Sequence, residues 1–388
     1  MRILYLDWPC FGQVDLEVIF TQRKYNVTKF FHEDFQKHKS ESFLMEGERC
    51  FDSPDDYDFA FSYNYYPLMA ELCHRHNLTY ISFMYDNPQV LLYSETIKYE
   101  TNRVFCFDSS TVEEFGKLGI DHFFYMPLPV NGTIIDYLVT LPYGKARYKS
   151  EVSFVGSLYD EFFHLYDAFD GISDQTRGYI EGIMSAQSNL WGYSFMQNCL
   201  TKDIVGELQK AANMKLDGME TLEYLFAEYF LARKLTSLER RQMLERVSDR
   251  HQVKLWTFDE NTVVGNCINC GKADYYDDMP YIFHDSKINL NITLRSIKNG
   301  IPLRCMDILG AGGFLLTNYQ SDFFKHFVPD EDIVIYTDTE DMLRKIDYYL
   351  LHDEKRKAIA QSGHDKVVKY HNCELIWDKV IDQALSWE

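Results

Sequence analysis

The stretch at residues 287–318, KINLNITLRSIKNGIPLRCMDILGAGGFLLTN, combines a strand, a turn, a helix and a second strand. Apolar and polar residues alternate over residues 288–293, a period of two that predicts a short strand with one polar face. The turn at residues 299–302 contains a glycine and ends on Pro302, which suits the first turn of a helix. We therefore expect a helix to begin near Pro302, and the apolar run at residues 314–316 to form a buried strand.

This segment resembles the donor half of the GT-B glycosyltransferases, in which two acidic residues flank the turn and the helix that hold a sugar nucleotide. The corresponding residues in this chain are Asn299 and Asp307, eight positions apart. The resemblance implies that Asp307 contacts the ribose hydroxyls. It also implies that Asn299, an amide in place of the usual glutamate, contacts the transferred sugar. Asn291, Gly300 and Ile301 complete the donor-binding residues expected on this segment.

Four further segments resemble the CgeB-like (spore-maturation-type) glycosyltransferases, whose N-terminal domain is poorly characterised. These segments are residues 80–88, 125–128, 152–159 and 176–184. The resemblance implies an α/β protein of the GT-B fold, with two Rossmann-like domains that face a cleft and a helical insertion in the second domain. It also implies a hexosyltransferase-type enzyme that takes a nucleotide sugar, expected to be UDP-linked, as its substrate and uses no metal or other cofactor.

The order of the predicted elements divides the chain into two domains. We expect an acceptor-side domain over residues 1–140, where strand-like runs alternate with polar or helical stretches as in a parallel sheet with crossover helices. These runs are residues 3–6, 59–63, 80–85, 103–107 and 123–126. A donor domain is expected over residues 151–370, with a helical insertion at about 161–250, after a connection at 131–150. The resemblance implies that a last helix at residues 371–388 crosses back to the N-terminal domain.

The composition disfavours several classes of function. The 388 residues include 39 basic and 59 acidic residues, a formal net charge of −20 that disfavours binding to nucleic acid or to an anionic membrane surface. No apolar run approaches the roughly 20 residues that span a bilayer, so we expect no integral membrane segment. Asp7 interrupts the apolar N-terminus too early for a signal peptide, so we expect a cytoplasmic protein. Its expected partners are the nucleotide sugar and a glycan, protein or small-molecule acceptor.

Nine cysteines are scattered through the chain, as a reducing compartment permits. Cys267 and Cys270 have the spacing of a metal-binding pair. A structural zinc site needs a second pair of ligands, and none follows nearby in the sequence. A surface turn with two reduced thiols is therefore favoured over a metal site.

Transfer from a nucleotide sugar requires groups that stabilise the negative charge on the departing diphosphate. The helix expected at Pro302 would offer unpaired amides and a partial positive charge. Arg304 in its first turn is the first candidate for a phosphate partner, and a solvated helix residue is an equally good interpretation. Arg177 is the second candidate, with a structural salt bridge as the alternative. The amides of Gly156 and Ser157 are a third, with a plain strand-end turn as the alternative.

An inverting transfer also requires a general base near the acceptor hydroxyl, whereas a retaining transfer can proceed without one. Asp86 is the strongest candidate, because it follows a buried strand at the expected carboxyl edge of the first sheet. The alternative is that Asp86 caps the turn made by Asn87 and Pro88. Asp7 and Asp15 are weaker candidates.

Three functions are compatible with these patterns. The first is transfer of a sugar from a nucleotide-sugar donor to an acceptor. The second is epimerisation or phosphorolysis on the same fold, which would release a sugar epimer or a sugar phosphate. The third is non-catalytic binding of a nucleotide sugar, which Asn299 in place of the usual acid makes conceivable.

Overall fold

The computed structural model describes residues 1–51, 56–141, 143–159, 169, 171–216 and 218–387. Contacts divide the chain into two compact units. The first unit comprises Met1–Leu128, Lys215–Thr221 and Cys373–Glu388, and the second comprises Pro129–Met214 and Leu222–Asn372. Each unit is built on a six-stranded sheet in which neighbouring strands are parallel.

The observed division differs from the predicted boundaries. Residues 131–150 belong to the second unit, where Gly132–Thr140 and Lys145–Tyr148 are helices rather than a connection. Within the predicted insertion, residues 160–168 and 170 lie outside the described part of the chain, and the described remainder up to position 250 is helical or irregular. Lys215–Thr221 belongs to the first unit.

The first sheet has the strand order β2-β1-β3-β4-β5-β6. Its strands are β1 Arg2–Leu6, β2 Asn26–Phe30, β3 Phe59–Tyr63, β4 Tyr80–Phe83, β5 Asn102–Cys106 and β6 Phe123–Tyr125. Its helices are Gln13–Gln22, Glu41–Glu48, Pro67–Arg75, Ser109–Lys117 and Cys373–Ser386, with short 3-10 helices at Val90–Tyr93 and Glu95–Lys98. The strands β3, β4 and β5 are buried along their whole length, as expected for central strands of a parallel sheet covered on both faces.

The C-terminal helix Cys373–Ser386 packs against the first sheet. The Trp377 ring is 2% exposed, and its centroid lies 4.8 Å from that of Phe61 and 5.5 Å from that of Phe83. Both contacts have edge-to-face geometry, which aromatic pairs prefer over a face-to-face sandwich. The end of the chain thus contributes to the core of the unit that begins it.

The second sheet has the strand order β12-β11-β10-β7-β8-β9. Its strands are β7 Ser150–Val155, β8 Val253–Trp256, β9 Ile268–Asn269, β10 Ser286–Asn291, β11 Leu315–Asn318 and β12 Val334–Tyr336. Its remaining helices are Asp174–Ser188, Met196–Cys199, Lys202–Ala212, Leu222–Tyr224, Ala232–Ser248, Met279–Asp285, Leu303–Gly310, Phe323–His326, Thr339–Leu351 and Asp353–Tyr370, and Leu225–Leu231 is π-helical. No helix among the described residues has both the length and the apolar character needed to cross a membrane.

The polar face of β10 is satisfied inside the second unit. The Ser153 hydroxyl donates to Asn289 Oδ1 at 2.7 Å, and Asn289 Nδ2 donates to the Phe283 carbonyl at 2.9 Å. Asn289 is 1% exposed, so a buried amide without these partners would destabilise the unit. The alternation of apolar and polar residues that predicted β10 therefore places Asn289 in a buried hydrogen-bond network.

Candidate functional site

The predicted turn and helix lie at the carboxyl end of β10. The helix Leu303–Gly310 begins directly after Pro302, which is its N-cap residue and has extended backbone angles. Asn299 in the turn is half-buried, and its carbonyl accepts a hydrogen bond from the Asp322 amide at 3.1 Å. The turn is therefore anchored to the segment that follows β11.

Three predicted donor-binding residues on this segment are buried. Asn291 is 4% exposed, and its amide nitrogen donates to the hydroxyls of Thr293 and Thr317, each at 2.9 Å. Gly300 is also buried, and Ile301 is 1% exposed. Asn291 thus ties the end of β10 to β11, and Ile301 packs in the core. The Asn291 and Ile301 side chains face the interior, and contact of this segment with a donor stays a prediction.

Asp307 lies inside the helix Leu303–Gly310 and is 5% exposed. Its carboxylate oxygen Oδ1 accepts a hydrogen bond from the Tyr275 hydroxyl at 2.9 Å. A carboxylate has about four acceptor positions, so accepting from Tyr275 is compatible with accepting from a further donor group. Tyr275 is half-buried on the segment between β9 and the helix Met279–Asp285, so this segment and the helix that carries Asp307 meet at one carboxylate.

Arg304 is directed toward the neighbouring helix Met279–Asp285. Its guanidinium contacts the Met279 thioether, and its central carbon lies 5.4 Å from the centre of the Phe283 ring. Arg304 is half-buried in this position. Arg304 therefore packs on its neighbours rather than being solvated, and its role as a phosphate partner stays a prediction.

Arg177 occupies the first turn of the helix Asp174–Ser188 and is half-buried. Within the described ranges its side chain has no hydrogen bond or ion pair, so the predicted salt bridge is not found there. The N-terminus of the same helix is occupied by the Glu207 carboxylate, which accepts from the Ser173 amide and from the Thr176 hydroxyl. These hydrogen bonds lower the pKa of Glu207, and the one from Thr176 has the largest effect. The N-terminus of this helix is therefore already paired with a carboxylate of the protein.

The turn after β7 is held by a buried arginine that the sequence did not single out. The Gly156 amide donates to the Trp256 carbonyl at 3.0 Å, and the Ser157 hydroxyl accepts from the Tyr159 amide at 2.8 Å. The Ser157 carbonyl accepts from Arg240. The Gly156 amide is therefore used by the sheet, as in the plain strand-end interpretation.

Arg240 also joins the carboxyl ends of two neighbouring strands. Besides Ser157, its guanidinium donates twice to the carbonyl of Ile292, at 3.0 and 2.6 Å, just beyond the end of β10. Arg240 is 8% exposed and belongs to the helix Ala232–Ser248. This helix therefore fixes the distance between the ends of β7 and β10.

A second arginine reinforces the same helix. Arg295, which follows β10, forms a buried ion pair with Glu239, and its Nε lies 2.8 Å from Glu239 Oε2. The backbone amide of Arg295 donates to the Thr236 hydroxyl at 3.0 Å, and the guanidinium stacks on Trp191 at 3.3 Å. Burial raises the pKa of Glu239, and the hydrogen bond and charge of Arg295 oppose that shift. The Glu239 carboxylate therefore needs close contact with Arg295 to stay charged in the interior.

The π-helical turn Leu225–Leu231 reaches the loop that precedes Pro302. Its Glu228 is 2% exposed and lies 3.2 Å from Lys298 Nζ, next to Asn299 in sequence. A buried carboxylate requires such a partner to remain charged. Isolated π-turns in helices are frequent at functional sites. This turn positions the loop that leads into the helix Leu303–Gly310.

Arg233, two residues after the π-turn, lies against two tyrosine rings near the end of β7. Its guanidinium lies 4.5 Å from the centre of the Tyr229 ring and 5.6 Å from that of Tyr159. Its Nε is buried and has no hydrogen-bond partner among the described residues. Tyr159 itself has a positive φ of 61°, uncommon for a residue other than glycine and frequent at functional sites. Nothing in the charged helix sequence distinguishes Arg233; its position depends on the tertiary structure.

In the first unit, Asp86 is exposed at the carboxyl end of β4. Asn64, at the end of the neighbouring strand β3, donates from Nδ2 to Asp86 Oδ2 at 2.7 Å. Asn64 Oδ1 accepts from the amides of Tyr85 and Asp86, at 2.9 and 3.1 Å. Asn64 holds both the backbone and the carboxylate of Asp86, and its left-handed φ of 59° is the structural signature that the sequence did not reveal.

Gly12, after β1, is required by its conformation and by its neighbour. Its φ is 76°, and an added Cβ would lie 2.9 Å from the Tyr85 hydroxyl. Gly119 has the same φ of 76° but no atom within 4 Å of its added Cβ.

We expect Gly12→Ala to lower the urea midpoint of the first unit more than Gly119→Ala. Both variants introduce left-handed strain of about 1–2 kcal/mol, and only Gly12→Ala displaces Tyr85. Equal shifts in the two variants would contradict this account.

The described residues contain no group of three or more His, Cys, Asp or Glu side chains arranged to hold a metal ion. Cys267 and Cys270 are free thiols that face different carbonyls, those of Leu244 at 3.7 Å and Ile268 at 3.6 Å. Burial raises the pKa of Cys267 to about 11, so this thiol is protonated at neutral pH. The two thiols therefore contact different carbonyls, and the absence of a metal from this pair stays a prediction.

Residues 233–382 match a family model described as glycosyl transferase-like. This match includes the helix with Arg240, the strand β10, the turn with Asn299 and the helix with Asp307. Among the curated proteins compared with the chain, none is significantly similar.

Several solved structures share the fold over the whole chain at low sequence identity. HepE from Anabaena, in complex with UDP and glucose, has a TM-score of 0.55 and 11% identity and covers 100% of both chains. Sucrose-phosphate synthase from Thermosynechococcus elongatus has a TM-score of 0.55 and 8% identity and covers 99% of this chain and 98% of its own. BGT of T4 phage, in complex with its UDP-glucose substrate, has a TM-score of 0.51 and 10% identity and covers 100% of both.

The two parallel sheets with their helices therefore form the GT-B fold, which confirms the predicted fold class. Within this fold, residues 233–382 are similar to the family described as glycosyl transferase-like. The family match supports transfer of a sugar from a nucleotide-sugar donor, the first of the three functions predicted from the sequence.

Proposed function

We propose that this protein is a metal-independent hexosyltransferase of the CgeB-like type that takes its sugar from a UDP-linked donor in the cytoplasm. The observation that carries the proposal is the glycosyl transferase-like match of residues 233–382, which contain the donor-type turn and helix. UDP is favoured over other nucleotides because HepE and BGT are described in complex with UDP, UDP and glucose, or UDP-glucose.

In this proposal, the donor is held by the second unit. Asp307 accepts hydrogen bonds from the ribose hydroxyls, and Asn299 contacts the transferred sugar from the turn before the helix. Arg233 is the cation for the diphosphate, since its guanidinium stacks on two tyrosines near the end of β7 and its Nε has no hydrogen-bond partner among the described residues. Arg177 is a second candidate for the same charge. Because these arginines neutralise the leaving group, the reaction needs no metal.

The proposed acceptor step uses the first unit. Asp86 removes the proton of the acceptor hydroxyl as that oxygen attacks the anomeric carbon, the bond from this carbon to the diphosphate oxygen breaks, and UDP leaves. The hydrogen bonds from Asn64 orient the Asp86 carboxylate for this task. This assignment corresponds to an inverting transfer, since a retaining transfer does not need such a base.

The function is tested by incubating the full chain with UDP-glucose, UDP-galactose and UDP-N-acetylglucosamine, in the presence of EDTA, with and without candidate acceptors. We expect UDP release and a new glycoside. A free sugar epimer or a sugar phosphate would instead indicate an epimerase or a phosphorylase. Tight binding of UDP with no product from any donor would indicate a non-catalytic binding protein, and absence of nucleotide binding would reject the proposal.

We expect Arg233→Ala to weaken UDP binding about 10- to 100-fold while leaving uridine binding unchanged. The reason is that a hydrogen bond to a charged group contributes about 1.5–3 kcal/mol and uridine has no diphosphate. Isothermal titration calorimetry with both ligands measures this difference. Arg246→Ala is the matched control, because Arg246 lies on the same helix but forms a surface ion pair with Glu340. Equal losses for UDP and uridine would contradict a diphosphate role.

A further inference from the structure

We propose that the carboxyl end of the first sheet carries a binding subsite for a neutral sugar ring, so that the acceptor is a carbohydrate. Trp8 and Phe35 form the surface on which the ring stacks, and Asp86, held in place by the buried Asn64, binds its hydroxyls. This inference rests on the proposed function and names the acceptor class that the proposed function leaves open.

Aromatic side chains from three segments meet at this edge. The Trp8 and Phe35 rings are stacked, with centroids 5.9 Å apart and planes at 26°. Tyr66 lies beside both, with centroids 6.0 Å from Trp8 and 4.9 Å from Phe35 in edge-to-face geometry. The Phe31 ring lies 5.9 Å from Phe35. We call Trp8, Phe31, Phe35 and Tyr66 the aromatic platform.

The platform is held rigidly and part of it is accessible. The Trp8 indole N–H donates to the Tyr63 carbonyl at 3.0 Å, which fixes the orientation of the ring and satisfies its only polar group. Tyr66 is 1% exposed and supports the other rings from beneath. Trp8 and Phe35 are half-buried, and Phe31 is 54% exposed. An exposed aromatic surface at the carboxyl end of a parallel sheet is where this architecture places ligands.

Hydrogen-bonding groups border the platform. Asp86 accepts a hydrogen bond at 2.7 Å from Asn64, which lies two positions before Tyr66. Burial raises the pKa of Tyr66 and of Cys10, and the Asp86 charge adds to both shifts, behind that of Tyr80 in the case of Tyr66. For Cys10, burial, Asp86 and Asp7 together raise the pKa to about 12, so the thiol stays protonated. Asn64 donates to the Asp86 carboxylate and fixes it at the end of β4. A rigid apolar surface therefore lies beside an oriented carboxylate.

This combination fits a neutral pyranose. One face of such a ring presents C–H groups, which carry the slight positive charge that the negative face of an aromatic ring attracts, while its hydroxyls lie around the edge. A few oriented polar groups beside an apolar surface are what fixes a small ligand in one pose. Asp7 and Asp86 at this edge, and the net charge of −20, disfavour phosphorylated or acidic acceptors. The subsite thus favours a neutral glycan.

The test measures binding of cellobiose, maltose, lactose and chitobiose to the full chain saturated with UDP, by saturation-transfer NMR and titration. We expect at least one of these saccharides to bind and Trp8→Ala to weaken it about tenfold. The affinity for UDP should stay within about twofold, because Trp8 belongs to the other unit. Tyr137→Ala is the control, since Tyr137 is 64% exposed and lies in the second unit. Should Trp8→Ala fail to fold, Phe31→Ala tests the same platform through a mostly exposed ring.

The outcomes separate this inference from the proposed function. If UDP binds but none of the four saccharides does, the carbohydrate subsite is overturned and the transferase function stands. An unchanged saccharide affinity in both platform variants also overturns it, since the sugar would then bind elsewhere. If UDP itself does not bind, the proposed function fails first.

Discussion

Replacement of Asp307 with alanine is expected to abolish turnover, with kcat/KM for the UDP-sugar reduced by at least about 100-fold. A hydrogen bond to a charged group contributes about 1.5–3 kcal/mol, and the proposed contact with two ribose hydroxyls involves two such bonds. The position of Asp307 supports this role, because its carboxylate is 5% exposed and desolvated groups form stronger hydrogen bonds. Steady-state kinetics on UDP release, together with calorimetry on UDP and uridine, measure the loss.

Asp307 also accepts a hydrogen bond from Tyr275, so a structural effect has to be separated from a ligand effect. Tyr275→Phe removes that bond and keeps the ring, and we expect it to retain most of the UDP affinity. Asp307→Asn keeps the side-chain shape and removes the charge, and we expect it to weaken uridine and UDP alike. Full activity in Asp307→Ala would reject the donor-site assignment. Loss of activity in Tyr275→Phe equal to that in Asp307→Ala would mean that their mutual hydrogen bond, rather than ribose binding, is what matters.

Replacement of Asp86 with asparagine is expected to lower kcat by about 100- to 10,000-fold, the usual contribution of a positioned general base. The amide keeps the size of the side chain and cannot take the proton of an acceptor hydroxyl at neutral pH. UDP affinity should be unchanged, because the proposed donor site lies in the other unit. Single-turnover measurements with a saturating UDP-sugar measure the chemical step.

Asp7→Asn is the matched control for Asp86. Asp7 also lies at the carboxyl end of the first sheet, but its carboxylate is paired with Lys29 at 3.3 Å and hydrogen-bonded to Gln13. We expect this variant to retain a kcat near that of the unmodified protein. If Asp86→Asn changes kcat by less than about threefold, Asp86 is not a general base, whose removal normally costs far more. A retaining transfer would then become the better mechanism.

The sheets show which strands a sequence can reveal. The central strands β3, β4 and β5 are continuous buried runs, and they lie where the pattern of apolar residues predicts them. The strands β2, β9 and β12 were not predicted, and all three are at the edges of their sheets. These three strands are partly exposed, so their composition does not stand out from that of loops, whereas the edge strand β6 is aromatic throughout and was predicted.

The donor-type helix shows what local sequence contains. Pro302 and the residues after it predict a helix start, and the helix begins at Leu303, because a proline there limits φ and loses no hydrogen bond. The same local signals did not predict side-chain direction. Asn291 and Arg304 lie on the predicted elements, yet one is hydrogen-bonded inside the sheet and the other packs on Met279. Direction depends on neighbours that are remote in sequence.

The sequence by itself determined the α/β class, the strand end that carries Asp86, the helix that carries Asp307 and the turn at Asn299, because periodicity and turn chemistry act over a few residues. The GT-B architecture was implied by the resemblance of its segments to a known family. Only the tertiary structure decided which side chains meet. Arg240 bonds to Ser157, 83 positions away, and Asn64 bonds to Asp86, 22 positions away. Arg233 and Trp8 likewise acquire their surroundings from separate segments. Such contacts form when distant strands end at one edge of a parallel sheet, and no local pattern encodes that meeting.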